Sequence, residues 1–112
     1  MYVFSTRAEL DTAISSWRSN EDNAKTEYGD INTWDVSAIT DFSYLIPSNY
    51  KVGVVSYYYA FNSDISNWDV SNGTDFSHMF SGITNFNQDI SNWDVSNGTD
   101  FSNMFNLSLI HI

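Results

Sequence analysis

The chain has no cysteine, a single proline and only four Lys or Arg residues among its 112 residues. Without cysteine there is no disulfide framework, thiolate metal site or cysteine nucleophile. The four cations stand against 14 Asp and Glu, which gives a net charge of −10. This charge argues against nucleic acid as a partner, because phosphate binding needs a basic face, and against anionic membrane surfaces. No run of about 18 apolar residues occurs, so no membrane insertion is expected. Residues 1–10 also lack the basic start and long apolar stretch of a signal peptide.

What the chain does have is a high aromatic content, 17%, and an internal repeat. Residues 61–80 and 86–105 are identical at 18 of 20 positions, with a spacing of 25 residues. A degenerate third copy occupies residues 30–46, and a connector of residues 47–60 follows it. One such unit is too small to bury its own apolar face, so the repeats are expected to stack on one another.

Each repeat combines two apolar patterns. The spacing of Ile65, Trp68 and Val70 predicts a short strand, with a turn at residues 66–67. Residues 74–80 place apolar side chains at helical spacing, which predicts a short helix. Strands of successive repeats are expected to pair in parallel. The predicted inward positions are Ile31, Trp34, Val36, Ile39, Phe42 and Leu45, then Ile65, Trp68, Val70, Phe76, Met79 and Phe80, then Ile90, Trp93, Val95, Phe101, Met104 and Phe105.

Residues 1–29 carry helix signals instead and are predicted to form an N-terminal helical cap. Thr6 and Glu9 have capping-box spacing, and apolar residues then follow at helical intervals as far as Trp17. Asn20 is a candidate cap for a second helix that Gly29 would stop. Such a cap would cover the open end of the repeat stack, residues 30–106.

The connector contains the run Tyr57, Tyr58 and Tyr59. One interpretation is a longer coil or a hairpin-like excursion in which these side chains are partly buried. The other is an exposed binding surface, since tyrosine is favoured at interfaces.

The repeat unit F-N-x-D-I-S-x-W-D-V-S, with its T-D-F-S-x-M-F continuation, resembles the repeat of BspA-type leucine-rich-repeat surface proteins. The likeness covers residues 30–105, and residues 28–37 resemble the cap–repeat junction of that family. It implies an α/β fold: a right-handed, leucine-rich-repeat-like solenoid with short parallel strands and short helices. It also implies extracellular or cell-surface placement, as in bacterial surface lipoproteins, and adhesion or recognition without enzyme activity. The chain departs from the pattern at Gly73 and Gly98, where the family has an apolar residue, so the coil is either looser or more sharply turned there.

Residues 107–112, LSLIHI, break the repeat. They resemble a translated transposon-end adapter of the kind used in sequencing libraries. This resemblance predicts a non-native tail on a truncated metagenomic fragment, with further repeats expected after residue 106.

No catalytic motif is present, and the only histidines are His78 and His111. An enzyme and a bound cofactor are therefore not expected. Calcium is the one ion to weigh, because oxygen-rich ladders of stacked repeats can bind it. The alternative is that these side chains cap turns through local backbone hydrogen bonds. The calcium candidates are Asp69, Asp75, Asp94 and Asp100.

The sequence thus predicts a non-enzymatic repeat module that binds an unknown protein or glycan, basic or neutral in charge. The alternative from another class is a structural spacer that binds nothing. The nearly invariant surface positions of the two copies, which differ only at residues 63/88 and 78/103, mildly favour the spacer or a repetitive ligand.

Overall fold

The computed structural model describes residues 1–46, 49–52, 55–58, 61–83 and 86–105, with 49–52 and 55–58 described as backbone only. Its elements are α1 (Arg7–Ser19), α2 (Glu21–Tyr28), a 3-10 turn (Ile31–Thr33), β1 (Asn49–Val52) and β2 (Val55–Tyr58). Within these residues, neither helix has the length and apolar character needed to cross a bilayer.

The two predicted helices are confirmed, and local signals set their ends. The Thr6 side chain caps α1 by accepting from the Glu9 amide at 3.2 Å. The Asn20 side chain caps α2 by accepting from the Asn23 amide at 3.1 Å. Gly29 ends α2 with φ of 77°, a left-handed conformation that suits glycine. The buried face of α1 is the predicted one, formed by Leu10, Ala13, Ile14 and Trp17.

Each repeat is a coil built from three copies of one turn, here called a corner. In the corner at Asp75, one carboxylate oxygen of Asp75 accepts from the Ser77 amide at 2.9 Å. The carbonyl of Phe76, the apolar residue between them, then accepts from the Met79 amide at 3.2 Å. Asp and Ser favour such side-chain-to-backbone turns. The corners begin at Asp30, Asp35 and Asp41 in coil 1, Asp64, Asp69 and Asp75 in coil 2, and Asp89, Asp94 and Asp100 in coil 3.

Among the described residues, six hydrogen bonds of 3.1 Å or less recur at both junctions, from coil 1 to coil 2 and from coil 2 to coil 3. Four are backbone bonds of the third corner; at the second junction they run from the amides of Thr99, Phe76, His78 and Phe80 to the carbonyls of Thr74, Asp100, Ser102 and Met104, at 2.8–3.0 Å. The other two are side-chain donors. The indole of Trp93 donates to the Ile65 carbonyl at 3.1 Å, and the Asn97 amide group donates to the Ser71 carbonyl at 2.7 Å.

The predicted α/β leucine-rich-repeat-like solenoid is wrong. In the described parts of the repeats no strand and no α-helix forms, and the strand-like pairing between successive coils is limited to isolated parallel bridges, Asp41 to Asp75 and Asp75 to Asp100. The physical reason is the corner. An aspartate every five or six residues satisfies the backbone locally, so no extended run is long enough to form a sheet. The helical spacing within residues 74–80 belongs to the Phe76–Met79 turn.

The core is a set of columns in which equivalent side chains stack from coil to coil. The ring of Phe76 lies between Phe42 and Phe101, with centroids 5.4 and 5.3 Å away and nearly parallel planes. Trp34 stacks on Trp68 at 6.4 Å. Coils 1 and 2 bury every predicted inward position, whereas Phe101 in coil 3 is 42% exposed. Six further core residues, not predicted, are Phe4, Ala24, Ile46, Phe61, Ile83 and Phe86.

The N-terminal segment covers coil 1 with hydrogen bonds of its own, one of which stands in for a bond that a preceding coil would make. The Asp35 amide donates to the Tyr2 carbonyl at 2.8 Å, and the Phe4 amide donates to the Asp35 carbonyl at 3.0 Å. The Arg7 guanidinium donates to the Asp41 carbonyl at 3.0 Å. In coils 2 and 3 the equivalent carbonyl accepts a backbone amide of the coil before it, so Arg7 takes the place of that amide.

The connector forms an antiparallel hairpin in which Tyr50 pairs with Tyr57. The hairpin-like excursion predicted for residues 47–60 is therefore confirmed for the backbone of residues 49–52 and 55–58. Residues 107–112 lie outside the described part of the chain.

Glycine at position 73 leaves room for an aromatic ring. The Gly73 amide closes the same turn as Ile39 in coil 1, so the coil is not more sharply bent there. A Cβ at Gly73 would overlap Cζ of Phe76 and lie 3.0 Å from Cδ2 of Phe42. The buried ring of Phe76 thus occupies the space that a side chain at position 73 would take.

We predict that Gly73→Ala destabilises the chain by about 1–3 kcal/mol, because both rings it would strike are fully buried. Gly98→Ala is the matched control. Its new methyl would strike only Phe101, whose exposed ring can swing away, so the change should be close to neutral. Urea unfolding of the two variants measures both values, and equal losses would contradict this account of Gly73.

Candidate binding surface

The third corners of the three coils form one continuous surface, here called the ladder face. Each coil contributes the segment T-D-F-S-x, and the bridges between Asp41, Asp75 and Asp100 keep the three segments in register. The last position of the segment forms a surface row of Tyr44, His78 and Asn103, here called the exposed row, in which Tyr44 and Asn103 are exposed and His78 is half-buried. Tyr44 is 59% exposed, and its ring stacks on that of His78 with centroids 4.5 Å apart and planes 6° apart.

The backbone of the exposed row is left-handed in every coil. The φ angles of Tyr44, His78 and Asn103 are 56°, 58° and 56°, the only positive values at non-glycine residues in the described part of the chain. Residues other than glycine and asparagine take this conformation at a cost of about 1–2 kcal/mol. Because the equivalent residue of every coil has this conformation, the fold imposes a left-handed backbone at this position.

The aspartates of the corners are strong hydrogen-bond acceptors. The hydroxyl of Ser37, and then its amide, lower the pKa of Asp35. The serine hydroxyl and amide lower the pKa of Asp89, Asp94 and Asp100 in the same order, and His78 adds a smaller effect at Asp100.

The pKa values of two other corner aspartates, Asp41 and Asp64, are also lowered, but their causes rank differently. Burial is the largest effect at Asp41 and acts to raise its pKa, but the Ser43 hydroxyl and amide, with Arg7, leave it lowered. At Asp64 the pKa is lowered first by the Ser66 amide and then by the Ser66 hydroxyl.

The calcium candidates do not converge on a shared centre. Asp75 and Asp100 are neighbours on the ladder face, each bound by its own serine. Asp69 and Asp94 lie in the second corners, where Ser71 and Ser96 donate to them at 3.0 Å. Among the described residues, no three His, Cys, Asp or Glu side chains are placed to hold a metal ion. The geometry assigns these carboxylates to their turns.

The predicted tyrosine surface falls largely outside the described residues. Tyr57 and Tyr58 belong to β2, whose backbone alone is described, and Tyr59 is not described. The exposed row was not predicted as a site. Its signal in the sequence is Asn103, because asparagine is enriched in left-handed conformations.

We predict that acid weakens the fold in a way that Asp35→Asn reduces. A carboxyl with a lowered folded pKa contributes stability above its unfolded pKa, and this contribution is lost as the pH falls through the folded pKa. The parent chain should therefore lose stability below about pH 4. Asn keeps the acceptor oxygen but does not titrate, so the variant's urea midpoint should depend less on pH. As a matched control, Ser37→Ala removes the hydroxyl donor and should move the acid loss to higher pH. Superimposable pH profiles for the three proteins would contradict this role of Asp35.

We predict that the left-handed position tolerates His78→Asn but not His78→Val. Asn occupies the same position in coil 3, so that change should stay within about 0.5 kcal/mol. A β-branched side chain at φ near 58° should lower the free energy of unfolding by about 1–2 kcal/mol. Urea denaturation measures both values. A Val variant as stable as the Asn variant would show that this backbone conformation is not held.

Comparison with known proteins gives one matching family, which matches two stretches of the chain. The model of a family described as Mycoplasma protein of unknown function, DUF285, matches residues 1–52 and 20–109. No curated protein and no solved structure matches the chain. The two matches together span the helical cap and all three coils, and the chain belongs to the DUF285 family.

Proposed function

We propose that the chain is a non-enzymatic recognition module, placed at the cell surface or secreted, whose ladder face binds a protein or glycan. One observation carries the proposal: the exposed row places Tyr44, His78 and Asn103 at equivalent, backbone-fixed positions one coil apart. Aromatic side chains whose positions are fixed before binding lose little entropy when a ligand docks.

The differences between the two near-identical repeats support this choice. They differ at two positions only, Ser63/Gln88 and His78/Asn103. Ser63 accepts from the Trp17 indole at 2.9 Å, so contact with α1 accounts for the serine in coil 2. The remaining difference lies in the exposed row. A ligand that contacts the exposed row would account for this difference, whereas the identity of the other 18 positions favours a spacer or a repetitive ligand.

Charge narrows the ligand class. Residues 61–105 contain six aspartates and no Lys or Arg. The negative charge of these carboxylates repels anionic ligands. We therefore infer a neutral or basic partner. The resemblance to BspA-type surface proteins is consistent with adhesion and with the surface location.

A structural spacer is the second candidate. Its support is the identity of 18 of 20 positions in residues 61–80 and 86–105, since a spacer needs identical units and no variable surface.

We predict that a glycan array or a library of neutral and basic peptides contains a ligand that the chain binds and that Tyr44→Ala weakens about tenfold or more. Thr26→Ala, an exposed change on α2 away from the ladder face, is the control and should leave affinity unchanged. The affinities are measured by surface plasmon resonance at low and high salt. Binding that both variants retain would contradict the ladder face as the site. A complete absence of ligands would favour the spacer.

A further inference from the structure

The face of coil 3 that lies away from coil 2 carries one half of a junction. It offers the groups that an earlier coil supplies to the next coil. At each existing junction the earlier coil supplies three backbone amides and three backbone carbonyls to the six hydrogen bonds. In coil 3 the equivalent amides are those of Phe101, Asn103 and Phe105, and the equivalent carbonyls are those of Ile90, Ser96 and Thr99. Among the described residues none of these six groups has a partner across that face.

The apolar part of this face is concave and open. A pocket of about 630 Å³ lies there, lined by residues that include Ile90, Trp93, Val95, Phe101 and Met104. Phe101 is 42% exposed, whereas its equivalent Phe76 is fully covered by coil 3. The open face therefore presents the same six backbone groups, and a phenylalanine ring at the same position, as the face that coil 2 presents to coil 3.

We propose that this face takes a further coil of the same repeat sequence, joined to Phe105 by a link like residues 81–85. The occupant is identified by the existing junctions. Its indole would donate to the Ile90 carbonyl, its Asn amide group to Ser96 and its Thr amide to Thr99, while its three corner carbonyls would accept the amides of coil 3. Its phenylalanine would continue the column of Phe42, Phe76 and Phe101. The inference does not depend on the ligand proposed for the ladder face.

The sequence of the link favours a further repeat coil, rather than residues 106–112, as the occupant of this face. In the existing link Gly82 has φ of 78° and Ile83 is fully buried. The corresponding positions after coil 3 hold Leu107 and Ser108. Leucine is disfavoured at such a φ, and serine supplies no apolar side chain for the core.

A second copy of the chain would fit this face less well than a further coil does. Head-to-tail stacking would require the partner's coil 1, but residues 2–4 and Arg7 already bond to that face. Tail-to-tail pairing would oppose two coils that carry three aspartates each and no cation. The direction of the repeat bonds would also be reversed.

The test replaces residues 106–112 with a second copy of residues 81–105 and measures amide hydrogen exchange by NMR. The amides of Phe101, Asn103 and Phe105 should slow by about 100-fold or more, towards the rates of Phe76, His78 and Phe80, as they pass from a fraying end to a packed junction. The amides of Phe42 and Tyr44, in the first junction, report in the same sample that the chain is folded.

A matched extension carries Trp93→Phe in the added copy only. It keeps an aromatic ring but loses the indole donor to the Ile90 carbonyl, so its protection should be smaller than in the unaltered extension. Three results would overturn the proposal. The amides of coil 3 are unchanged by the added coil; they are already slow in the 112-residue chain because its own tail covers them; or the 112-residue chain dimerises and protects them.

Discussion

The structure depends on one local interaction, the bond from a serine or asparagine amide to the carboxylate of the aspartate two residues before it. Nine aspartates make this bond, three in each coil. It turns the chain and points the intervening apolar residue inward. Most of the acidic charge is therefore architectural: the repeats need aspartate at these positions whatever their ligand is. The −10 charge follows from a fold that uses a carboxylate at every corner.

Stacking follows from the corners because identical turns leave identical groups unpaired. Each coil offers the next the same three amides and three carbonyls, and aromatic columns fill the interior between them. The first coil needs a substitute for a predecessor, and the N-terminal segment with Arg7 supplies it. The ladder face, on the side of the stack, and the open face of coil 3, at its end, thus both result from the same periodic arrangement.

Sequence reasoning succeeded where signals are local. The caps at Thr6, Asn20 and Gly29 and the buried face of α1 follow from neighbouring residues. It failed for the strand and helix of each repeat, because apolar spacing is the same for a helical turn and for a corner. The distinction lies in the hydrogen bond of the aspartate, which hydrophobic periodicity does not report. Phe101 was expected inside but is partly exposed, because a column covers a ring only where a neighbour stacks on it.

The most direct test of the corner account is an NMR titration that follows the carboxyl carbons of the aspartates and the amide protons of their serines together. The account predicts that the amide shifts of Ser37, Ser91, Ser96 and Ser102 track the titration of Asp35, Asp89, Asp94 and Asp100, with midpoints below the ordinary pKa of 3.8. Midpoints at or above that value, with serine amides that do not respond, would contradict it.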